Sequence, residues 1–232
     1  MMTEAPSFPP LLTGEKAPAG IDPFDKARVS AMMGCDPGLI VWDERADALS
    51  AAIVLAPEKP LADAISILLA PAAGFVDALG ALGPPETAIH HVWPGAFRIN
   101  GALCGGLKAV ASAKNPDEEP DWLVVGIDVP FIPIGDGGED PDRTCLFHEG
   151  CAEITPQQLL ESWSRHTLHW IHRWLEDGLE PLHTAWRERA WEMGEPLADG
   201  SGVFMGLDDK AGMLVKTDDV TTLRPLTEIL ES

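Results

Sequence analysis

Val92-Trp93-Pro94-Gly95-Ala96-Phe97-Arg98-Ile99-Asn100-Gly101-Ala102-Leu103-Cys104-Gly105-Gly106-Leu107 is the stretch from which the fold is read. Asn100-Gly101 is a type I′ hairpin signal, because both central residues of that turn take positive φ. It predicts two antiparallel strands, Phe97 to Ile99 and Leu103 to Ala111. Gly105 and Gly106 lack a Cβ, so backbone can lie close to another strand or to a ligand there. From the residues alone, a ligand floor and a crowded sheet crossing serve this pattern equally well.

Working outward, Ala88 to Trp93 and Trp122 to Val129 read as further strands, and Leu39 to Trp42 and Leu49 to Leu55 as a pair joined by a short turn. Asp22-Pro23 is an N-cap followed by proline at N1 and predicts a helix ending near Gly34. A second helix is expected from Leu61 to about Leu79, kinked or broken at Pro71. Thr155-Pro156-Gln157-Gln158 opens a capping box, so a long helix should run to about Asp177, with another after Gly178 containing Leu182, Trp186 and Ala190. Leu159, Trp163, Trp170, Ile171 and Trp174 recur at helical spacing, as core anchors or as a docking face. The expected fold is α+β: a mixed, largely antiparallel sheet with the two long helix regions packed on one side, plus a small C-terminal β module. Three parts follow: an extended N-terminal arm over 1–20, an α/β domain over 21–195 and the module over 196–232. The acidic, Gly-rich stretch Gly135 to Asp142 is expected to be the mobile internal loop.

A chain of 232 residues, 45% hydrophobic, can enclose one sizeable core with a small appendage. Thirty-seven acidic against sixteen basic side chains give a formal charge of -21, which disfavours nucleic acid and anionic membranes as partners. Met1 to Pro10 holds Glu4 and three prolines instead of a basic start and an apolar run, unlike a secretory signal. Ile65 to Leu82 is interrupted by Pro71 and Asp77 and reads as a buried helix rather than a membrane span. The expected location is the cytoplasm, with Cys35, Cys104, Cys145 and Cys151 as thiols.

Local motifs leave the chemistry open. Cys145, His148 and Cys151 lack a fourth ligand for structural zinc. His166, His169 and His172 lack the HExxH pattern, so no metal is expected. GxSxG, GxGxxG after a strand and GxxxxGK[ST] do not occur, and no base lies near Cys104 or Ser50 in sequence.

The order of features resembles the biotin/lipoate A/B protein ligase family, whose catalytic domains carry Lys-Trp-Pro-Asn-Asp, an Asn-Gly hairpin, a lysine and then Gly-Ile. Trp93-Pro94, Asn100-Gly101 and Gly106-Leu107 match these in turn. Gly126-Ile127-Asp128-Val129 resembles the family's Gly-Ile-Asn-Val, with Asp128 at the asparagine. Thr144-Cys145-Leu146 resembles its Thr-Ser-Leu, and Trp186-Arg187 its terminal Trp-Arg. The resemblance implies a ligase-like fold and ligand contacts from Trp93, Pro94, Asn100, Gly101, Gly105, Gly106 and Asp128.

Departures bear on activity. Where the family has a Gly/Arg-rich phosphate loop, only Asp43 to Ala48 lies between the two early strands. Leu103 stands at the hairpin lysine, Val92 at the motif's opening lysine and Gly95-Ala96 at Asn-Asp. Lys108, five residues beyond Leu103, should face away from it unless a bulge intervenes. The implied protein is catalytically degenerate and binds a small acyl-type ligand or a protein partner, with no catalytic residue assigned and no cofactor. The alternative is a divergent biotin or lipoate/octanoyl ligase or transferase using ATP, Mg²⁺ and biotin or lipoate, with Arg98, Lys108 or Arg45 on the phosphate. Its transferase form would use Cys104 as nucleophile, although that residue should face away from Leu103. A purely interacting protein, homodimer included, is the third class; it is favoured if Leu103, Trp42 or Phe97 fills the pocket.

Overall fold

A computed structural model describes residues 5–133 and 140–231. Seven strands form the main sheet: β1 (Thr13–Lys16), β2 (Leu39–Trp42), β3 (Ala48–Leu55), β4 (Ile89–Val92), β5 (Ala96–Ile99), β6 (Ala102–Ala111) and β7 (Leu123–Pro130). Their order is β1-β2-β3-β7-β6-β5-β4, and every pair is antiparallel except β1 with β2. The α+β class and the largely antiparallel sheet are as the hairpin signal predicts. Thr13–Lys16 lies within the segment read as an arm and supplies the edge strand beside β2.

Both faces of the sheet centre are covered, which is why β3 is buried throughout and apolar but for Ser50. Leu49, Ala51, Ile53 and Leu55 point into the larger core, while Ala52 and Val54 point into a smaller one under helix α1 (Pro23–Met32). Asp22 caps α1 by accepting from the Phe24 N–H at 2.8 Å, and Phe24, Ala27 and Ala31 bury its inner stripe.

The larger core lies under α3 (Leu69–Leu82) and α4 (Pro156–Asp177). Thr155 and Gln158 form the expected capping box. Gly74 lets the two helices touch: a Cβ there would lie 2.4 Å from Thr167 Oγ1. Trp163 is fully buried and donates to the Pro71 carbonyl at 3.1 Å, and Trp174 donates to Ser66 Oγ at 3.2 Å. The tryptophan pattern is therefore a core pattern. By length and apolarity Leu61–Leu82 could cross a membrane, yet 78% of its most apolar window is buried in the protein.

Two helix predictions need correction. The break falls ahead of Pro71: a short helix α2 (Leu61–Ala64) passes through a 3₁₀ turn at Ile65–Leu68 into α3. Pro71 sits in the first turn of α3, where a missing N–H leaves no intrahelical bond unmade. Helix α5 (Glu180–Arg187) stops short of Ala190, which instead bridges His91. The His91 N–H donates to Arg189 O and the Trp191 N–H to His91 O, each at 2.8 Å, covering the outer edge of β4.

After this segment come β8 (Val203–Leu207), β9 (Met213–Thr217) and β10 (Val220–Arg224), a three-stranded antiparallel sheet. It is fastened to the main body by the Trp93 Nε1–H to Ala211 O bond at 3.1 Å and by Lys210 with Asp63 at 2.9 Å. Most of the loop expected to be mobile, Gly135 to Asp142, lies outside the described residues.

Candidate functional site

The site is built around an irregularity in β6. Ala96 pairs with Gly106 but Arg98 pairs with Leu103, so β6 advances one residue more than β5. Gly105 absorbs the extra residue at φ 75°, in the left-handed region, with its Cβ position 2.1 Å from Asp128 O. Cys104 and Ala109 consequently both enter the larger core although five residues separate them. Leu103 and Lys108 are thereby both turned to the opposite face, the one beneath α1. The expectation that Lys108 faces away from Leu103 is reversed by this bulge.

On that face β3, β7 and β6 place Ser50 beside Asp128, Asp128 beside Gly106, and Gly126 beside Lys108. Gly126 is flat, and the Phe24 ring lies against it: a Cβ there would sit 2.7 Å from Phe24 Cδ2. Lys108 Nζ stands 4.4 Å from the centre of the Phe24 ring and 3.0 Å from Asp22 Oδ2, so the start of α1 holds this cation. Phe24, rather than Leu103, Trp42 or Phe97, fills this end of the face. Phe97 lies in the helix-side core with its ring 4.3 Å from that of Phe75. Trp42 lines a cleft of about 440 Å³ with Phe8, Gly14, Lys16 and Glu44, at the β1–β2 edge.

The β2–β3 connection is as short as expected, and its arginine is engaged. Arg45 makes a two-pronged pair with Asp47, Nε to Oδ1 at 2.9 Å and Nη2 to Oδ2 at 2.8 Å. That pair raises the Arg45 pKa and lowers the Asp47 carboxyl. Asp128 is shifted the other way. Desolvation raises its pKa, outweighing the Ser50 hydroxyl bond and the attraction of Arg45 and Lys108, even though the residue keeps an exposed side. The face thus carries a carboxyl group that accepts a proton more readily than usual, between two cations already paired.

Gly105, Gly106 and Asp128 meet here, and Gly95 closes on them. The Gly106 Cβ position is 2.8 Å from Gly95 O, which also accepts from Leu107 N–H at 2.7 Å. Pro94 follows a cis peptide at the same turn. Trp93 extends to the C-terminal module instead. Asn100 and Gly101 form the hairpin tip, at φ 49° and 94°. Asn100 Oδ1 accepts from Ala88 N–H at 2.9 Å and its Nδ2 donates to Glu149 Oε2 at 2.7 Å. Asn100 thereby holds the loop ahead of α4, and with Gly101 it belongs to the hairpin tip rather than to the Gly106–Asp128 pairing.

Burial pushes the Cys104 thiol up to about 12, with Cys145 and Glu149 adding to it, so no thiolate forms near neutral pH. Among the described residues no three His, Cys, Asp or Glu side chains are placed to hold a metal ion.

Two residues of this face escaped the sequence reading. Phe24 was legible only as part of a helix start. Arg143 becomes a neighbour of Leu103 through a backbone bridge: Leu103 N–H donates to Asp142 O at 2.7 Å and Thr144 N–H to Leu103 O at 2.9 Å. Leu103 itself is half-buried, with its Cα partners on both sides arginines.

Residues 8–188 match the model of the biotin/lipoate A/B protein ligase family, and residues 193–232 match a domain of unknown function (DUF4444). The chain is 23% identical over 197 residues to a biotin--[acetyl-CoA-carboxylase] ligase of Paracoccus denitrificans, covering 81% of this chain and 82% of that one. Among solved structures it is similar to a biotin protein ligase-like protein of unknown function from Silicibacter sp. TM1040, at 53% identity and TM-score 0.93, over 98% and 100% of the two chains. The apo biotin protein ligase of Aquifex aeolicus shares the fold at 17% identity and TM-score 0.73, over 93% and 95%.

Proposed function

The chain belongs to the biotin/lipoate A/B protein ligase family, and on that premise we propose that it holds a small acyl-type ligand on the β3–β7–β6 face without joining it to AMP. One observation carries this reading: Arg45 and Lys108, the cations nearest Asp128 on this face, are paired with Asp47 and Asp22, and Asp128 adds an acid between them. An adenylating site must neutralise phosphate charge as it develops, and preorganised cations do that work.

The second reading, a divergent biotin or lipoate/octanoyl ligase or transferase, is favoured by the arginines flanking Leu103. The Paracoccus relative that its name describes as joining biotin to a carboxylase points the same way. Against the transferase form stands Cys104, buried on the other side of the strand.

Pyrophosphate exchange with ATP, Mg²⁺ and biotin or lipoate separates the two. The expected result is no exchange by the wild type and none by Leu103→Lys. Exchange by the wild type above a no-protein blank would overturn the non-adenylating reading, and exchange gained only by the variant would show that the absent lysine alone had silenced the site.

A further inference from the structure

We propose that the cleft at the β1–β2 edge is a second binding site, built for a quaternary ammonium group, and that the Lys16 ammonium stands in for that group in this structure. The cleft opens on the opposite side of the sheet from the β3–β7–β6 face. Trp42 packs against the larger core, whereas Val41 and Ala17, the strand neighbours of Trp42 and Lys16, lie in the smaller core under α1. The proposal is therefore independent of the acyl-ligand reading, and the failure of either leaves the other untouched. Three parts of the chain build the walls. Phe8 and Trp42 each rest against the larger core and keep part of the ring exposed to the cleft. Phe8 is seated over Gly14, whose Cβ position lies 2.1 Å from Phe8 Cε2, so a residue with a side chain would push the ring away. The arm that carries Phe8 is tied to the start of α4: the Ser7 N–H donates to Glu161 Oε1 at 3.1 Å, and Gln157, which also lines the cleft, donates to the same oxygen at 3.1 Å.

Lys16 shows what these walls attract. Its Nζ lies 6.0 Å from the centre of the Trp42 ring and is paired with Glu44, so an ammonium here has both an aromatic face and a carboxylate. Those are the two partners that an organic cation seeks outside water. The Lys16 and Glu44 side chains are each about half exposed, and an ion pair that open to water contributes little, so Lys16 is readily displaced. A primary ammonium is strongly hydrated and gains little by leaving water. A quaternary ammonium has no N–H to keep hydrated and presents methyl groups to the rings, so it gains more from the same walls. A cleft of about 440 Å³ takes such a head group together with the rest of a small molecule. The field of a chain with formal charge -21 draws cations toward it.

NMR titration of the isotope-labelled full chain with choline tests the proposal, followed at the indole N–H of Trp42, which Trp42→Phe identifies by its loss. Choline should shift that resonance saturably. Dimethylbutanol, which has the same shape with carbon in place of the charged nitrogen, should bind about tenfold or more weakly. Glu44→Gln should weaken choline severalfold. Lys16→Ala should tighten it, because the internal competitor is gone, whereas Lys114→Ala, the same loss of charge on a distant exposed loop, should leave it unchanged. No saturable shift with choline, equal binding of the alcohol, indifference to Glu44→Gln, or a Lys16→Ala variant no tighter than Lys114→Ala overturns the proposal. Sedimentation with phosphatidylcholine vesicles separates the two sources of the same group. Choline binding without vesicle binding assigns a free small molecule, and vesicle binding that choline displaces assigns a lipid head group.

Discussion

Gly105 concentrates the most consequence in one residue, because a single positive φ sets the orientation of everything upstream of it in β6. A Cβ would meet the Asp128 carbonyl at 2.1 Å, and an L side chain at φ 75° is already strained. Gly105→Ala should therefore cost several kcal/mol in urea denaturation. Gly80, on the open surface of α3 with nothing near its Cβ position, should accept alanine at no cost or with a small gain. His91 makes a prediction of a different kind. It is buried against Trp186, with the rings 5.6 Å apart and nearly parallel, and burial, then Arg189 and His90, lower its pKa to about 3. Above about pH 6.5 neither folded nor unfolded chain protonates it. Below that the unfolded chain takes the proton and the folded one refuses it, so stability falls as pH drops from about 6.5 toward 3. The loss attributable to His91 should be on the order of 3 kcal/mol by pH 4. His91→Phe should flatten that part of the pH profile; an unchanged slope would mean that the ring is not held neutral.

Among the elements, those announced by local chemistry were legible: the Asn100-Gly101 turn, the Asp22 cap of α1 and the Thr155 capping box each fix a few neighbouring dihedrals and need nothing distant. What could not be read depends on contacts far along the chain. Thr13–Lys16 becomes a strand because Leu39–Trp42 offers it an edge, not because Thr-Gly-Glu-Lys favours extension. The Gly105 bulge was visible only as a glycine pair, so the facing of Lys108, which turned on whether a bulge intervened, stayed open. Phe24 on Gly126 and Arg143 beside Leu103 join residues more than thirty positions apart, and no period announces such neighbours. The close crossing of α3 and α4 belongs to the same class. Gly74→Ala would drive a methyl group to 2.8 Å from the Thr167 backbone nitrogen and should cost about 2 kcal/mol, read as a lower thermal midpoint, with secondary structure retained.

At the scale of the molecule, the C-terminal sheet is held to the main body by few polar ties, with Trp93 the one that also belongs to the ligand-side motif. Trp93→Phe removes the bond to Ala211 while keeping an aromatic ring, and should cost about 1 kcal/mol. Hydrogen exchange should then rise in 203–224 before it rises in the main sheet. Uniform acceleration would mean that module and body open as one unit.

The central pairing of β3 with β7 matches Ala48 to Pro130 and Leu55 to Leu123, so the middle of the sheet is assembled from strands that β4, β5 and β6 separate in the chain. During synthesis from the N-terminus β3 can pair with β2 at once, but its other edge must wait until β7 has left the ribosome, whereas β4, β5 and β6 can pair as soon as they emerge. A nascent chain halted after β6 should consequently leave the β7-facing edge of β3 open to proteases and chaperones, and full protection of β3 should arrive only once residue 130 is free of the exit tunnel.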